Sequence, residues 1–363
     1  MAMAETKRVA REHRSAVHCV AIDRASQRLL LSGGADAAVR LYDLEQLETV
    51  SMGTRQITAQ QQTAAATTGR GGGHSGLVSS VAWYGGDAGM FASGSFDGTV
   101  RVWDAADMSE ACRFDMDSRV RSVAMSATGE HALVAVGDMS DHVRLCDLRT
   151  GAAAQSLAVE GRGTVAVAWS ATGAYSLATG ACDGAVRVWD VRRADAHVAA
   201  VGQLQHVGDV AFTADGRHVV GASTGGRVCK WTVGGVLAFD MQTQAPPTTV
   251  PPPPAAAEPL RMAMAGDATV FVPGCGGNGM AVAAVDVDAG AQMAALEGHM
   301  SQALCAAWRG MARLELYTGG SNGELIVWGA AGREAATAAQ EAAREDAWSE
   351  SDSDGNDSDS DSD

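Results

Sequence analysis

Positive charge is in short supply along this 363-residue chain: 27 Lys and Arg stand against 43 Asp and Glu, for a formal net charge of −16. Affinity for duplex DNA rests on neutralising phosphates, so no direct DNA binding is expected. No segment reaches the ~18 uninterrupted apolar residues of a membrane-spanning helix. The first residues, MAMAETKRVAREH, hold no apolar core for a secretion signal, so a soluble intracellular protein is expected, with no membrane partner. The cysteines (Cys19, Cys112, Cys146, Cys182, Cys229, Cys275 and Cys305) include no C-x-x-C pair. That spacing supports neither a zinc site nor a thioredoxin-type redox motif, and they read as reduced core thiols. Helical periodicity is lacking until an Ala/Glu-rich run near the end, and charged residues make up only 19% of the chain against 46% hydrophobic ones, as suits sheets packed face to face.

What the chain does have is glycine, turn dipeptides and a repeat. Leu177 to Arg192, LATGACDGAVRVWDVR, sets an apolar run, an Asp-Gly turn, an alternating strand and a Trp-Asp pair in series. The pattern returns in LYD ending at Asp43, VWD at Asp104, LCD at Asp147, VWD at Asp190, KWT at Trp231, AVD at Asp286 and VWG at Trp328. Between the residues in the Trp place (Tyr42, Trp103, Cys146, Trp189, Trp231, Val285, Trp328) the steps are 61, 43, 43, 42, 54 and 43 residues. Four of the six fall in the roughly 40–45 residue period of WD repeats, each of which builds a four-stranded propeller blade.

The expected fold is therefore all-β: a seven-bladed WD-repeat β-propeller over residues 1–330, followed by a disordered acidic C-terminal tail. The two long steps coincide with insertions near 54–73, rich in Gln, Thr, Ala and Gly, and near 243–258, rich in Pro; neither can bury much apolar surface. Thr6 to Arg11 is expected to close the ring beside Leu325 to Trp328, because an unpaired outer strand would leave an exposed edge. Residues 331–344 are a candidate short helix. Residues 345–363 carry nine acids and no base, a composition that favours disorder. Within the tail, Ser349, Ser351, Ser358 and Ser360 each have an acid three residues later, which leaves docking or phosphorylation open beside a solubilising role.

Blade construction also accounts for most of the conspicuous polar residues. In WD repeats a His before the first strand, a Ser or Thr on the second, the turn Asp and the Trp hydrogen-bond to one another between sheets. His74, Ser93, Asp97 and Trp103 make the full set; His299 and Trp328 begin another, with Asn322 in the Asp place, and His13 with Asp36 a third. In the fourth blade Asp183 and Trp189 are read the same way. A His-Ser-Asp trio resembles a hydrolase triad. It recurs here at the repeat period and has no G-x-S-x-G elbow, so no catalytic residue is assigned. Gly71 to Gly73 and Gly274 to Gly279 lack the Lys-Ser/Thr ending of a phosphate loop. No cofactor or metal is implied.

Taken whole, the chain resembles the Cockayne syndrome A protein family. The resemblance rests on LLSGGADAAVRLYDLE (30–45), GMFASGSFDGTVRVWD (89–104), ALVAVG with VRLCDLRTG (132–151), LATGACDGAVRVWDVRRA (177–194) and EDAWSESD (345–352). It implies a non-catalytic substrate receptor of a cullin-4 RING ubiquitin ligase in transcription-coupled nucleotide excision repair. The implied partners are the damage-binding protein 1 adaptor, the Cockayne syndrome B ATPase and the stalled RNA polymerase II complex, in the nucleus and also in the cytoplasm. Such receptors carry a box ending in W-D-x-R, which Leu177 to Arg192 fits. The adaptor contacts it implies are Arg192, with Asp190 in the same box and Arg149 on the adjoining blade. A helix-loop-helix typically precedes the propeller in these receptors. Here about five residues precede the first expected strand, so either the sequence is truncated or docking uses mainly the ring face. The alternative is a general WD-repeat protein-interaction scaffold unconnected to ubiquitin.

Overall fold

Each repeat places a β-rich apolar run on either side of a short turn, and alternation along the runs gives every sheet two faces to bury. The computed structural model describes residues 3–9, 13–45, 66–67, 73–86, 88–159, 163–193, 197–204, 206–243, 260–275, 278–310 and 313–330. Most of both insertions, the helix candidate at 331–344 and the acidic tail at 345–363 lie outside them.

Seven four-stranded antiparallel sheets form a seven-bladed propeller of WD repeats. Blade one is Val17–Ile22, Leu29–Gly34, Val39–Asp43 and Ala66–Thr67; blade two is Val78–Trp83, Met90–Ser95, Thr99–Asp104 and Glu110–Asp115. Val120–Met125, Leu133–Asp138, His142–Asp147 and Ala152–Ala158 make blade three, and Thr164–Trp169, Ser176–Ala181, Ala185–Asp190 and His197–Gln203 make blade four. Blade five holds Val207–Phe212, His218–Ser223, Arg227–Thr232 and Leu237–Gln242. In blade six the inner strand is the short Ala263–Ala265, followed by Thr269–Cys275, Ala281–Asp286 and Ala291–Leu296.

Blade seven is completed by both ends of the described chain. Ala303–Trp308, Leu316–Gly320 and Leu325–Ala330 take Met3–Val9 as their outer strand, pairing Val9 with Leu325, Lys7 with Val327 and Met3 with Ala330. The closing strand starts three residues earlier than Thr6, because a bulge between Glu5 and Lys7 absorbs one residue and the pairing runs on to Ala330. The unpaired edge of Leu325–Ala330 is thereby covered without a covalent bond.

The core lies between blades instead of at one centre. Val186, Val188, Val201 and Leu204 of blade four meet Val207, Val210 and Trp231 of blade five, and comparable clusters follow around the ring. Gly202 shows how close the sheets come: a Cβ there would lie 2.1 Å from Cε2 of Trp231. Gly184, in the Asp-Gly turn of the opening repeat, has φ +89°, and a Cβ there would lie 1.8 Å from the carbonyl oxygen of Leu204. Only glycine satisfies both demands at that turn.

Candidate functional site

The network of blade two is a single chain of hydrogen bonds. Trp103 Nε1–H donates to Ser93 Oγ at 2.8 Å, which leaves the Ser93 hydroxyl proton for His74 Nε2 at 2.7 Å. His74 Nδ1–H is then the donor to Asp97 at 3.0 Å, and Asp97 also accepts the Ser75 N–H and the Thr99 hydroxyl. Burial pushes the His74 ring below its ordinary value, against the opposing pull of Asp97. For Asp97, burial alone would raise the carboxyl; hydrogen bonds from Thr99 and Ser75, with His74, bring it down to about 2. Ser93 is fully buried, so the trio holds two sheets together and offers no accessible nucleophile.

Blade seven repeats the arrangement with a change. Trp328 Nε1–H donates to Thr318 at 2.8 Å, Thr318 meets His299 Nε2 at 2.7 Å, and the acid bonded to His299 Nδ1 at 3.0 Å is Glu324, not a residue at 322. Asn322 instead accepts the N–H of Glu324 at 3.2 Å. The longer Glu, two places on, reaches the position that Asp97 fills in blade two. In blade one His13 bridges Ser32 (2.6 Å) and Asp36 (2.8 Å), with the Tyr42 hydroxyl 3.5 Å from Ser32. Blade four brings Trp189 to Thr179 at 2.8 Å, while Asp183 accepts from Ala185 N–H at 2.9 Å and pairs with Arg187 at 3.2 Å.

Arg192 stands apart from this construction. It grips Asp190 in a two-pronged bond, Nε to Oδ1 at 2.9 Å and Nη2 to Oδ2 at 2.7 Å, and its Cζ lies 5.3 Å from the ring centre of Tyr175. The Arg192 hydrogen bond is the main reason the Asp190 carboxyl is held at about 2. The Arg192 side chain nevertheless remains 66% exposed, and Tyr175 is exposed beneath it. Tyr175 belongs to the turn between the first and second strands of blade four, so Arg192 lies on the face that carries those turns. Arg149 is exposed at the corresponding place on blade three, its N–H bonded to Asp147 at 2.8 Å.

Two neighbouring features were not legible in the sequence. Blade five turns between its third and fourth strands through Val236 and Leu237, 67% and 53% exposed, on the same face as Arg192. A Cβ at Gly235 of that turn would lie 3.4 Å from the carbonyl oxygen of Ala200 in the outer strand of blade four. At the centre of this face a funnel of about 310 Å³ is lined by the second halves of the inner strands, including Ser80, Trp83, Trp169 and Trp308. No sequence signal marked Tyr175 as the floor under Arg192.

Comparison with known proteins finds likeness to more than one group. The family model described as "WD domain, G-beta repeat" matches residues 5–43 and 67–104, and that of "Eukaryotic translation initiation factor eIF2A" matches 95–231. The chain is 36% identical over 183 residues to WD repeat-containing protein ATCSA-1 of Arabidopsis thaliana, covering 50% of this chain and 40% of that protein. It is 29% identical over 240 residues to the ribosome biogenesis protein WDR12 homolog of Chlamydomonas reinhardtii, covering 61% and 52%. With the ribosome biogenesis protein YTM1 of Yarrowia lipolytica the figures are 30% over 199 residues, 45% and 39%. The chain thus spans from about two fifths to about half the length of these relatives.

These matches correct the Cockayne syndrome A assignment. Likeness is spread over ribosome biogenesis proteins and an initiation-factor model as well as ATCSA-1. The physical reason is visible in the blades: SGSFDGTVRVWD and ATGACDGAVRVWD supply the turn Asp, the strand hydroxyl and the Trp that hold a blade together, so any WD-repeat chain tends to share them. EDAWSESD, the most distinctive stretch, lies outside the described residues. What holds is the coarser statement that this chain is a seven-bladed β-propeller built of WD repeats.

Proposed function

We propose that the chain is a non-catalytic protein-interaction scaffold, with its partner surface on the rim of blades four and five. The observation that carries this reading is the division of labour among polar groups. Those of the His-Ser-Asp-Trp sets are buried and bonded to each other, whereas Arg192 on Tyr175 shares an exposed face with Val236 and Leu237. A guanidinium already preorganised on a carboxylate and an aromatic ring, together with exposed aliphatic groups, has the make-up of a protein-binding hot spot. The ribosome biogenesis proteins among its relatives make large assemblies one setting for such a scaffold, and a nuclear location suits it.

A second reading is favoured by the position of Arg192 at the end of the W-D-x-R box. On it, Arg192, Asp190 and Arg149 dock the damage-binding protein 1 adaptor, and the chain serves a cullin-4 RING ligase in protein ubiquitination. The two readings separate in one capture experiment using the wild-type chain, Arg192→Ala and a Val236→Asp, Leu237→Asp double variant. The captured material is probed for the adaptor, cullin-4, the Cockayne syndrome B ATPase and RNA polymerase II, and surveyed for other proteins. Adaptor captured by the wild type and lost with Arg192→Ala supports the second reading. Other partners lost with the double variant support the first, and three chains that capture the same set with equal yield contradict a binding role for this rim.

A further inference from the structure

At the axis the ring narrows to a throat. In six inner strands the pairing slips by one residue at the second position, which frees His18, Ser79 and Arg121 among others from the regular ladder. Arg261 enters the same place from blade six and spans the opening. Its Nη1 lies 3.4 Å from Asp209 Oδ1 of blade five, and its Nη2 donates to the carbonyl oxygens of Ser79 in blade two, at 3.4 Å, and Arg121 in blade three. Arg261 and Asp209 also line the funnel, so the throat is its floor. On the far side, the guanidiniums of Arg121 and the exposed Arg119 lie 5.4 and 5.7 Å from the ring centre of Phe96.

The charges gathered here are predominantly positive. Arg121 and Arg261 are buried, at 4% and 8% exposure, and His18 beside them at 1%. Arg261 and Arg119 both act on Arg121; burial first, then Arg261, draws its guanidinium down to about 10. Asp209 faces Arg261, but burial pushes its carboxyl upward and so weakens the counter-charge. His18 Nδ1 and Arg261 Nε are both buried with no hydrogen-bond partner among the described residues. Holding like charges and unbonded polar atoms away from water is costly unless a group of opposite charge joins them.

We propose that this throat binds a small oxyanion of the phosphate or sulfate class, held by Arg121 and Arg261 with His18 and reached past Arg119. Tetrahedral oxygens suit guanidinium donors converging from several blades. An anion there links blades one, three and six across the axis, so the ligand is a clamp on the ring as well as an occupant. This axial site is separate from the rim of blades four and five.

The test compares thermal unfolding midpoints of the full chain in chloride and in low-millimolar inorganic phosphate at matched ionic strength and neutral pH. The wild type is expected to gain several degrees, rising with the logarithm of phosphate concentration as binding to the folded state requires. Arg121→Met, of similar volume without the charge, is expected to show no phosphate gain. Arg119→Gln, at an exposed position, is expected to fold normally and to weaken phosphate binding severalfold. A titration with glycerol 3-phosphate separates sources: an equal gain supports a phosphomonoester ligand, and a gain with inorganic phosphate alone supports the free anion. Equal wild-type midpoints in the two salts overturn the proposal. So does an equal phosphate gain in Arg121→Met, which means an adventitious ion only; should that variant not fold, an unchanged phosphate response in Arg119→Gln does the same.

Discussion

Blades two and three occupy equivalent places in the ring and hold their sheets together by different means. In blade two, Trp103, Ser93, His74 and Asp97 form one continuous polar chain. In blade three the place of Ser93 is taken by Val136 and that of Trp103 by Cys146; both are fully buried in an apolar cluster with Val134 and Phe114. The backbone pairing is the same in both blades. A buried donor and acceptor can therefore be exchanged for apolar groups at little cost when both leave together, whereas losing one strands the other. The repeat signature is one solution to blade packing, and for that reason it says little about partners.

This contrast can be broken most strongly by giving blade two half of blade three's solution. Trp103→Cys removes an aromatic ring between tightly packed sheets and the N–H that Ser93 Oγ accepts, and chemical denaturation is expected to show a loss of about 3–5 kcal/mol. Cys146→Ala in blade three, with no polar partner to strand, is expected to cost about 1 kcal/mol. Equal losses would show that the two blades are not held differently.

Ser93→Val is the next test. It leaves the Trp103 N–H and His74 Nε2 without partners at an expected cost of about 1–3 kcal/mol. Combining it with Trp103→Phe should cost less than the sum of the single changes, because the pair is coupled. Strict additivity in denaturant midpoints would remove Ser93 from the network.

Acid sharpens the comparison further. Burial first, then the charge of Arg261, draws His18 from the ordinary value of 6.5 to about 4, so the unfolded chain takes up that proton before the folded one does. In chloride, stability present above pH 6.5 is thus expected to decline as pH falls toward about 4. Asp97, held at about 2 against an ordinary 3.8, adds a loss that begins only as pH falls through the carboxylate range. His18→Asn should make the first decline shallower, with the remainder due to His13, His74 and His131, which burial also holds below the ordinary value, and leave the second. The smallest effect is reserved for the rim: Arg192→Ala is expected to leave the denaturant midpoint unchanged, since its bond to Asp190 is an exposed ion pair.

How much of this was legible beforehand follows from the range of each interaction. The seven blades and the strand that closes the ring could be read because apolar alternation and turn residues recur at a fixed spacing. His74 with Ser93 and Asp97 could be read for the same reason. Glu324 was missed because spacing pointed to Asn322, and only side-chain length decides which side-chain oxygen reaches His299. Arg261 was missed because its bonds to Ser79 and Arg121 join positions 182 and 140 residues apart, across the axis, which no local pattern encodes. Tyr175 beneath Arg192 arises from two turns of one blade meeting on a face.

The separation of blade construction from partner binding is tested most directly by measuring partner capture by Arg192→Ala and Ser93→Val side by side, at a temperature where both are folded. The expected result is that Ser93→Val, although less stable, captures partners as the wild type does, while Arg192→Ala, of unchanged stability, loses capture about tenfold or more, as removal of an interface anchor does. Undiminished capture by Arg192→Ala, or loss of capture by folded Ser93→Val, would contradict it.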